Sequence, residues 1–262
     1  MTSLPYPIQY QGSKINLASE ILRFLPNRVE RLVEPFSGTA AISIAVSDKA
    51  ISQNFSINDL NKPLVELLEL IVEKPDEIAN AYAEIWNEQH DNSVEHFYQA
   101  RERFNKTNNP KLFLYLLARC VKGAVRYNSE AFFNQSPDKR RKGTQPEKMR
   151  KNIEGVSRLL KGKCIFTYLD YKDVLAEVRN SDFVYIDPPY QGVCGNRDSR
   201  YYSRINFDDF VVAIKELNRK KIMFVVSYDG KRGNKIFGKE LPEELRLKKL
   251  KFKLGYRLKQ HY

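Results

Sequence analysis

Two groups of short apolar strands stand on either side of a long helical stretch, and this arrangement limits the fold more than any other feature. "RLVEPFSG" (Arg31 to Gly38) and "FSINDL" (Phe55 to Leu60) make the first group. "CIFTYLD", "DFVYIDPP" and "KIMFVVSYDG" make the second, which resumes near Lys163. Segments of helical character lie between them: "TAAISIAVS" after the first strand, then 171–179 and 207–220. Strand–helix alternation predicts a parallel sheet. The stretch between the groups is different. Pro63 sits at a first-turn position, and Leu64, Leu67, Leu68 and Ile71 fall on one helical face. Further helices are expected over 76–88, 94–105 and 110–121, and the basic, Pro/Gly-punctuated segment 128–152 reads as loop. The expectation is one α/β domain split in sequence, 1–61 and 161–262, with a helical insertion over 62–160.

The chain has 262 residues, enough for one large domain or a domain with an insertion. No apolar run reaches the roughly 20 residues of a membrane span, so no membrane-spanning segment is expected. "MTSLPYPIQY" has neither a charged n-region nor an apolar h-region, and Cys120, Cys164 and Cys194 lack CxxC spacing. Together these predict a cytoplasmic protein with reduced thiols. His90, His96 and His261 form no ligand cluster, so no metal is expected. The net charge of +12 points to an anionic partner, nucleic acid or an acidic membrane surface. Residues 139–163 hold ten Lys/Arg against two Asp/Glu, beginning with Lys139, Arg140, Arg141 and Lys142. A solvated loop explains that run as well as a phosphate contact does. Leu250, Phe252 and Leu254 alternate with lysines and read as a half-buried strand.

Four short motifs carry chemistry. "EPFSGTAA" (Glu34 to Ala41) joins a strand end to a helix of small residues through a single glycine, which suits a ligand without a pyrophosphate better than a dinucleotide. An ordinary βα turn is the alternative. "NDLN" follows about twenty residues after Gly38, where an acid at the end of the second strand can accept from a ribose diol; the alternative is a helix N-cap. "YQGSK" (Tyr10 to Lys14) offers a ring, a turn and a cation able to meet a carboxylate, or simply caps a first helix. In "DPPY" (Asp187 to Tyr190) the prolines end strand pairing, and Asp187 and the Pro188 carbonyl can grip one –NH2 group while Tyr190 stacks on its ring.

The ordered set "YQGSK", "EPFSG", "ND", "DPPY" resembles the Dam-like (D12 class, alpha group) N6-adenine DNA methyltransferases over most of the chain. The resemblance implies a Rossmann-like S-adenosylmethionine-dependent methyltransferase sheet, seven-stranded, with a helical target-recognition insertion. It implies S-adenosylmethionine as cofactor, double-stranded DNA as partner, and adenine flipped out of the duplex for methylation at N6, with or without a cognate restriction endonuclease. By motif position, Tyr10, Lys14, Glu34, Phe36, Gly38, Asp59, Asp170, Tyr171 and Asp187 match the family's cofactor site. Asp187, Pro188, Pro189 and Tyr190 match its catalytic segment. "RYNSEAFFN" resembles the family's recognition loop, which makes Lys122, Arg126, Asn128 and Asn134 candidate DNA contacts beside the basic run, with Arg126 reading guanine. GATC-methylating members carry an aromatic or aliphatic residue and an asparagine where Val121 and Lys122 stand, and Val-Pro after "FN" where Gln135, Ser136 and Pro137 stand; the recognition sequence is not carried over. "QGVCGNRDSRYY" reads as a loop able to close over DNA, and the final hairpin is expected to be incomplete. The alternatives are cytosine-N4 methylation, a DNA-binding protein without turnover, and a nicotinamide oxidoreductase, the last disfavoured by the single glycine.

Overall fold

A computed structural model describes residues 3–89, 92–189, 205–228, 231–232, 235–236 and 239–248. After a short helix α1 (Ala18–Leu22), strands and helices alternate: β1 (Arg31–Glu34), α2 (Ala41–Asp48), β2 (Phe55–Asn58). The helical insertion follows as α3 (Lys62–Glu73), α4 (Pro75–Asn87), α5 (Ser93–Thr107), α6 (Pro110–Arg119) and α7 (Pro146–Leu160). Alternation resumes with β3 (Cys164–Thr167), α8 (Tyr171–Ala176), β4 (Asp182–Ile186), α9 (Phe207–Arg219) and β5 (Met223–Val226).

The five strands pair in parallel in the order β3-β2-β1-β4-β5. The chain winds outward from β1 to β3, returns to the other side of β1 with β4, and winds outward again. Such a reversal opens a crevice at the carboxyl ends of the two central strands. The Val33↔Val184 register puts the ends of β1 and β4, Glu34 and Asp187, on that one edge.

Alternation along each strand builds two cores. Leu32, Phe55, Ile57, Phe183 and Tyr185 face α2, α3, α6 and α7, while Val33, Val184 and Ile186 face α8 and α9. All five residues of β4 are buried, as a central parallel strand requires. Within the insertion, α6 is buried from Leu112 to Arg119, with α3, α4 and α5 around it. A helix apolar on all sides belongs at the centre of a bundle.

One expectation is corrected. Segment 128–152 is not loop throughout, because α7 begins at Pro146. Met149, Ile153, Val156 and Leu160 form its buried stripe, spaced as one helical face; the surrounding charge hid it. The described residues hold five parallel strands and one small antiparallel pair, Lys231–Arg232 with Lys235–Ile236. The strand expected over Lys248 to Leu254 lies outside the described residues except for Lys248. Among the described residues no helix is long and apolar enough to cross a membrane, and no group of His, Cys, Asp and Glu could hold a metal ion.

Candidate functional site

Beyond β1 the chain turns through Pro35, Phe36, Ser37 and Gly38 into α2. Gly38 has φ +51, and Ala40, the N-cap, has φ +53. A left-handed alanine offers no capping oxygen, so the exposed amides of α2 need another acceptor. Glu34 supplies it from the strand: its Oε2 accepts from the Ser43 amide at 2.9 Å and from the Ser43 hydroxyl. The carboxyl is buried. Desolvation pushes its pKa up to about 7, the two Ser43 bonds pull against that, and nearby Asp187 adds to it. A carboxyl whose folded pKa lies above its unfolded one binds more protons folded than unfolded, so stability falls as pH rises between about 4.5 and about 7. Glu34→Gln keeps an acceptor for Ser43 and removes the titration. It is expected to match the parent near pH 4.5 and to exceed it in urea-unfolding stability at pH 8, by about 3 kcal/mol at most. Equal stability of the two chains at pH 8 would show that burial does not raise the Glu34 pKa.

The end of β2 is tied by side chains. Asn58 donates from Nδ2 to the carbonyls of Pro35 (2.9 Å) and Leu169 (3.0 Å). Its Oδ1 accepts from the Thr167 hydroxyl (2.7 Å) and the Leu169 amide (2.8 Å). One amide thereby fixes the loops after β1, β2 and β3. Asp59 does not sit at the N-cap of α3, which is Asn61. Its Oδ2 accepts from the Gly38 amide at 3.0 Å and its Oδ1 from the Asn61 amide at 2.9 Å. Desolvation raises its pKa against the pull of those two amides.

At the end of β4, Asp187 meets Lys14 of the "YQGSK" segment, with Nζ to Oδ2 at 2.6 Å, and Lys14 also donates to the Gly12 carbonyl at 3.2 Å. The phenyl ring of Phe36 lies 5.1 Å from that of Tyr171, tilted 33°. Tyr10, Lys14, Glu34, Phe36, Gly38, Asp59, Asp170, Tyr171, Asp187, Pro188 and Pro189 all line one cleft at the switch point of the sheet. Tyr190 lies outside the described residues. Two polar atoms in the cleft wall, Ser37 Oγ and Tyr171 Oη, are buried without a hydrogen-bond partner among the described residues.

The cleft is joined to the insertion by contacts that no short motif reveals. Tyr127 lines it and donates from its hydroxyl to Asn61 Oδ1 at 3.2 Å. The Gln11 amide donates to the Gly123 carbonyl at 2.9 Å. Gly123 has φ +59, and a Cβ there would lie 2.6 Å from the Gln9 carbonyl oxygen, so only glycine fits. Of the candidate DNA contacts, Lys122, Arg126 and Asn134 are exposed. Asn128 engages the amides of Glu130 and Phe132 with its Oδ1 at the tip of a hairpin. The basic run is an ordered turn. Asp138 Oδ1 accepts from the Arg140 amide, and Arg141 pairs with Oδ2 at 2.8 Å. Behind the turn, fully buried Arg119 donates to the carbonyls of Asp138 (3.0 Å), Arg141 and Ser93 (3.1 Å). Lys139, Arg140, Arg141 and Lys142 are left with their side chains outward and exposed.

The chain is similar to known DNA methyltransferases over most of its length. The family model for D12 class N6 adenine-specific DNA methyltransferases matches residues 10–253. The DNA adenine methylase of Escherichia coli (strain K12) is 30% identical over 205 residues, covering 76% of this chain and 70% of its own. The type II methyltransferase M.MjaIII of Methanocaldococcus jannaschii is 26% identical over 245 residues, 85% of this chain and 84% of its own. The modification methylase StsI of Streptococcus sanguinis is 30% identical over 244 residues, 84% of this chain but 35% of its own.

Proposed function

Because this chain belongs to the D12 class N6 adenine-specific DNA methyltransferases, we propose that the cleft at the switch point holds S-adenosylmethionine and receives an adenine flipped from double-stranded DNA. What supports this reading most is that four motifs spread from Tyr10 to Pro189 close on a single cleft at the switch point of the sheet. S-adenosylmethionine supplies an electrophilic methyl group. Asp59 holds the ribose diol with the lone pairs its two amide bonds leave over. Phe36 and Tyr171 provide apolar ring faces, and Glu34 and Gly38 shape the turn around the methionine part. The N6 amine of adenine is paired and out of reach inside a duplex, so the base has to leave the stack. Asp187 and the Pro188 carbonyl then accept from its two N–H groups. That grip frees the nitrogen lone pair, which is otherwise delocalised into the ring. Tyr190 stacks on the base, and Pro189 fixes the turn between them.

The insertion, 62–160, acts as the recognition unit, with 1–61 and 161–262 as the catalytic one. Arg126 and Asn134 face the bases; Lys122 and the run Lys139 to Lys142 face phosphates. The enzyme works in the cytoplasm, without a metal, and pairs functionally with a restriction endonuclease of the same specificity where one is present. Binding of S-adenosylmethionine by calorimetry, together with transfer of labelled methyl to duplex DNA, tests the core of this reading. Asp59→Ala is expected to weaken that binding by about 1.5–3 kcal/mol through loss of charge-assisted hydrogen bonds. An unchanged dissociation constant would leave Asp59 as a staple between Gly38 and Asn61 only.

A further inference from the structure

The recognition-loop motif that starts at Arg126 holds an exposed aromatic residue with no role assigned above. Tyr127 and Phe133 face each other across an antiparallel bridge. The Asn128 amide donates to the Phe132 carbonyl at 2.9 Å, and the Asn134 amide to the Arg126 carbonyl at 2.8 Å. Side chains alternate along paired strands. Tyr127 and Phe133 are buried, so Arg126, Asn128, Phe132 and Asn134 share the opposite face. Phe132 is 45% exposed there, a large ring beside a cation and an amide. Its backbone is held firmly. Asn128 caps the tip, Ala131 turns it with φ +61, and the Asn105 side chain exchanges two hydrogen bonds with the backbone of Phe133 at 3.1 and 2.8 Å. Phe132 stands behind the tip residues and borders a groove over α5 with Tyr98 and Asn105. That suits a ring lying along the hairpin face better than a wedge driven between base pairs.

The thymine C5-methyl is the apolar group on base edges in the major groove, and a phenylalanine is one of the side chains that reads it. We propose that Phe132 reads the C5-methyl of a thymine next to the base contacted by Arg126. The proposal rests on the chain being a DNA adenine methyltransferase whose hairpin faces the groove. Its recognition sequence therefore contains a thymine that Phe132 distinguishes from every base lacking that methyl.

The test replaces each thymine of the mapped recognition sequence, one at a time, by deoxyuridine, which removes only the methyl group. The parent enzyme is expected to lose about fourfold in kcat/KM at one of these positions, the worth of one buried methyl. Phe132→Ala is expected to methylate the thymine and deoxyuridine duplexes at equal rates, with its affinity for S-adenosylmethionine unchanged as a check on folding. Phe132→Leu keeps apolar surface and is expected to keep the thymine preference. A Phe132→Ala enzyme that still prefers thymine as the parent does would overturn the proposal, as would a parent indifferent to every deoxyuridine. A parent that methylates no duplex at all would overturn the activity itself and this proposal with it, so the two failures are distinguishable.

Discussion

Asp187→Asn is expected to lower single-turnover methyl transfer by about 10²–10³-fold, the scale seen when one preorganised hydrogen-bonding group is removed from the reacting centre. The asparagine keeps the shape of the strand end between Ile186 and Pro188. It presents either a neutral oxygen or an N–H to the target amine, and in both cases the two-acceptor grip is weakened. Lys14 loses its carboxylate partner and keeps the Gly12 carbonyl. The fold should tolerate this, because Asp187 is only half-buried and lies past the last paired residue of β4. DNA affinity, proposed above to rest on the basic surface of the insertion, should hardly change. The measurement is methylation under enzyme excess, with urea unfolding and duplex binding as controls. Normal turnover by Asp187→Asn would reduce the strand end to a structural turn.

Arg119→Met carries the largest expected loss of stability. The guanidinium is buried and satisfies three carbonyls, those of Asp138, Arg141 and Ser93. Methionine fills much of the volume but leaves those carbonyls facing an apolar side chain. An unsatisfied buried acceptor costs about 1–3 kcal/mol. Removing a buried charge returns part of that, so the net loss is set at about 3 kcal/mol. Arg119→Lys should recover little, because one ammonium does not reproduce a planar fork that spans separate carbonyls. The turn at 138–142 loses its internal anchor in both variants. Their affinity for DNA should therefore show a flatter dependence on salt than that of the parent, by about 0.9 log unit for each phosphate that the turn no longer neutralises. Equilibrium unfolding in urea and DNA titration at several salt concentrations measure the two effects. An unchanged unfolding midpoint would mean that the carbonyls find other donors.

The contrast between Asp187 and Arg119 shows what the sequence makes legible. Strands β1 to β5 announce themselves as short apolar runs that stop at glycine or an acid, and the helices between them keep their period. Most of the cleft could be read because its residues sit at strand ends, where local order along the chain maps directly onto one edge of a parallel sheet; Tyr10 and Lys14 come from the segment before α1. Arg119 could not be read as a buried anchor. The only local trace is its place at the end of "LFLYLLAR", a helix apolar on all sides, and its partners lie elsewhere in the chain. Asn58 stood inside a recognised motif, yet its four bonds reach the loops after β1 and β3, and no local pattern predicts them. Tyr127 was hidden in the same way, since its hydroxyl partner Asn61 is 66 residues away. Helix α7 was half-missed for the opposite reason. Its apolar stripe is regular, but lysines and arginines crowd the same segment and lower its mean hydropathy.

If the cleft closed by Lys14 and Asp187 methylates adenine N6 within one DNA sequence, expression in a host that lacks adenine methylation leaves a mark that single-molecule sequencing of its DNA can find. N6-methyladenine is expected to be concentrated in a single short motif and absent when Asp187→Asn is expressed in place of the parent. Genomic DNA without N6-methyladenine, or the same methylated motif produced by Asp187→Asn, would contradict it.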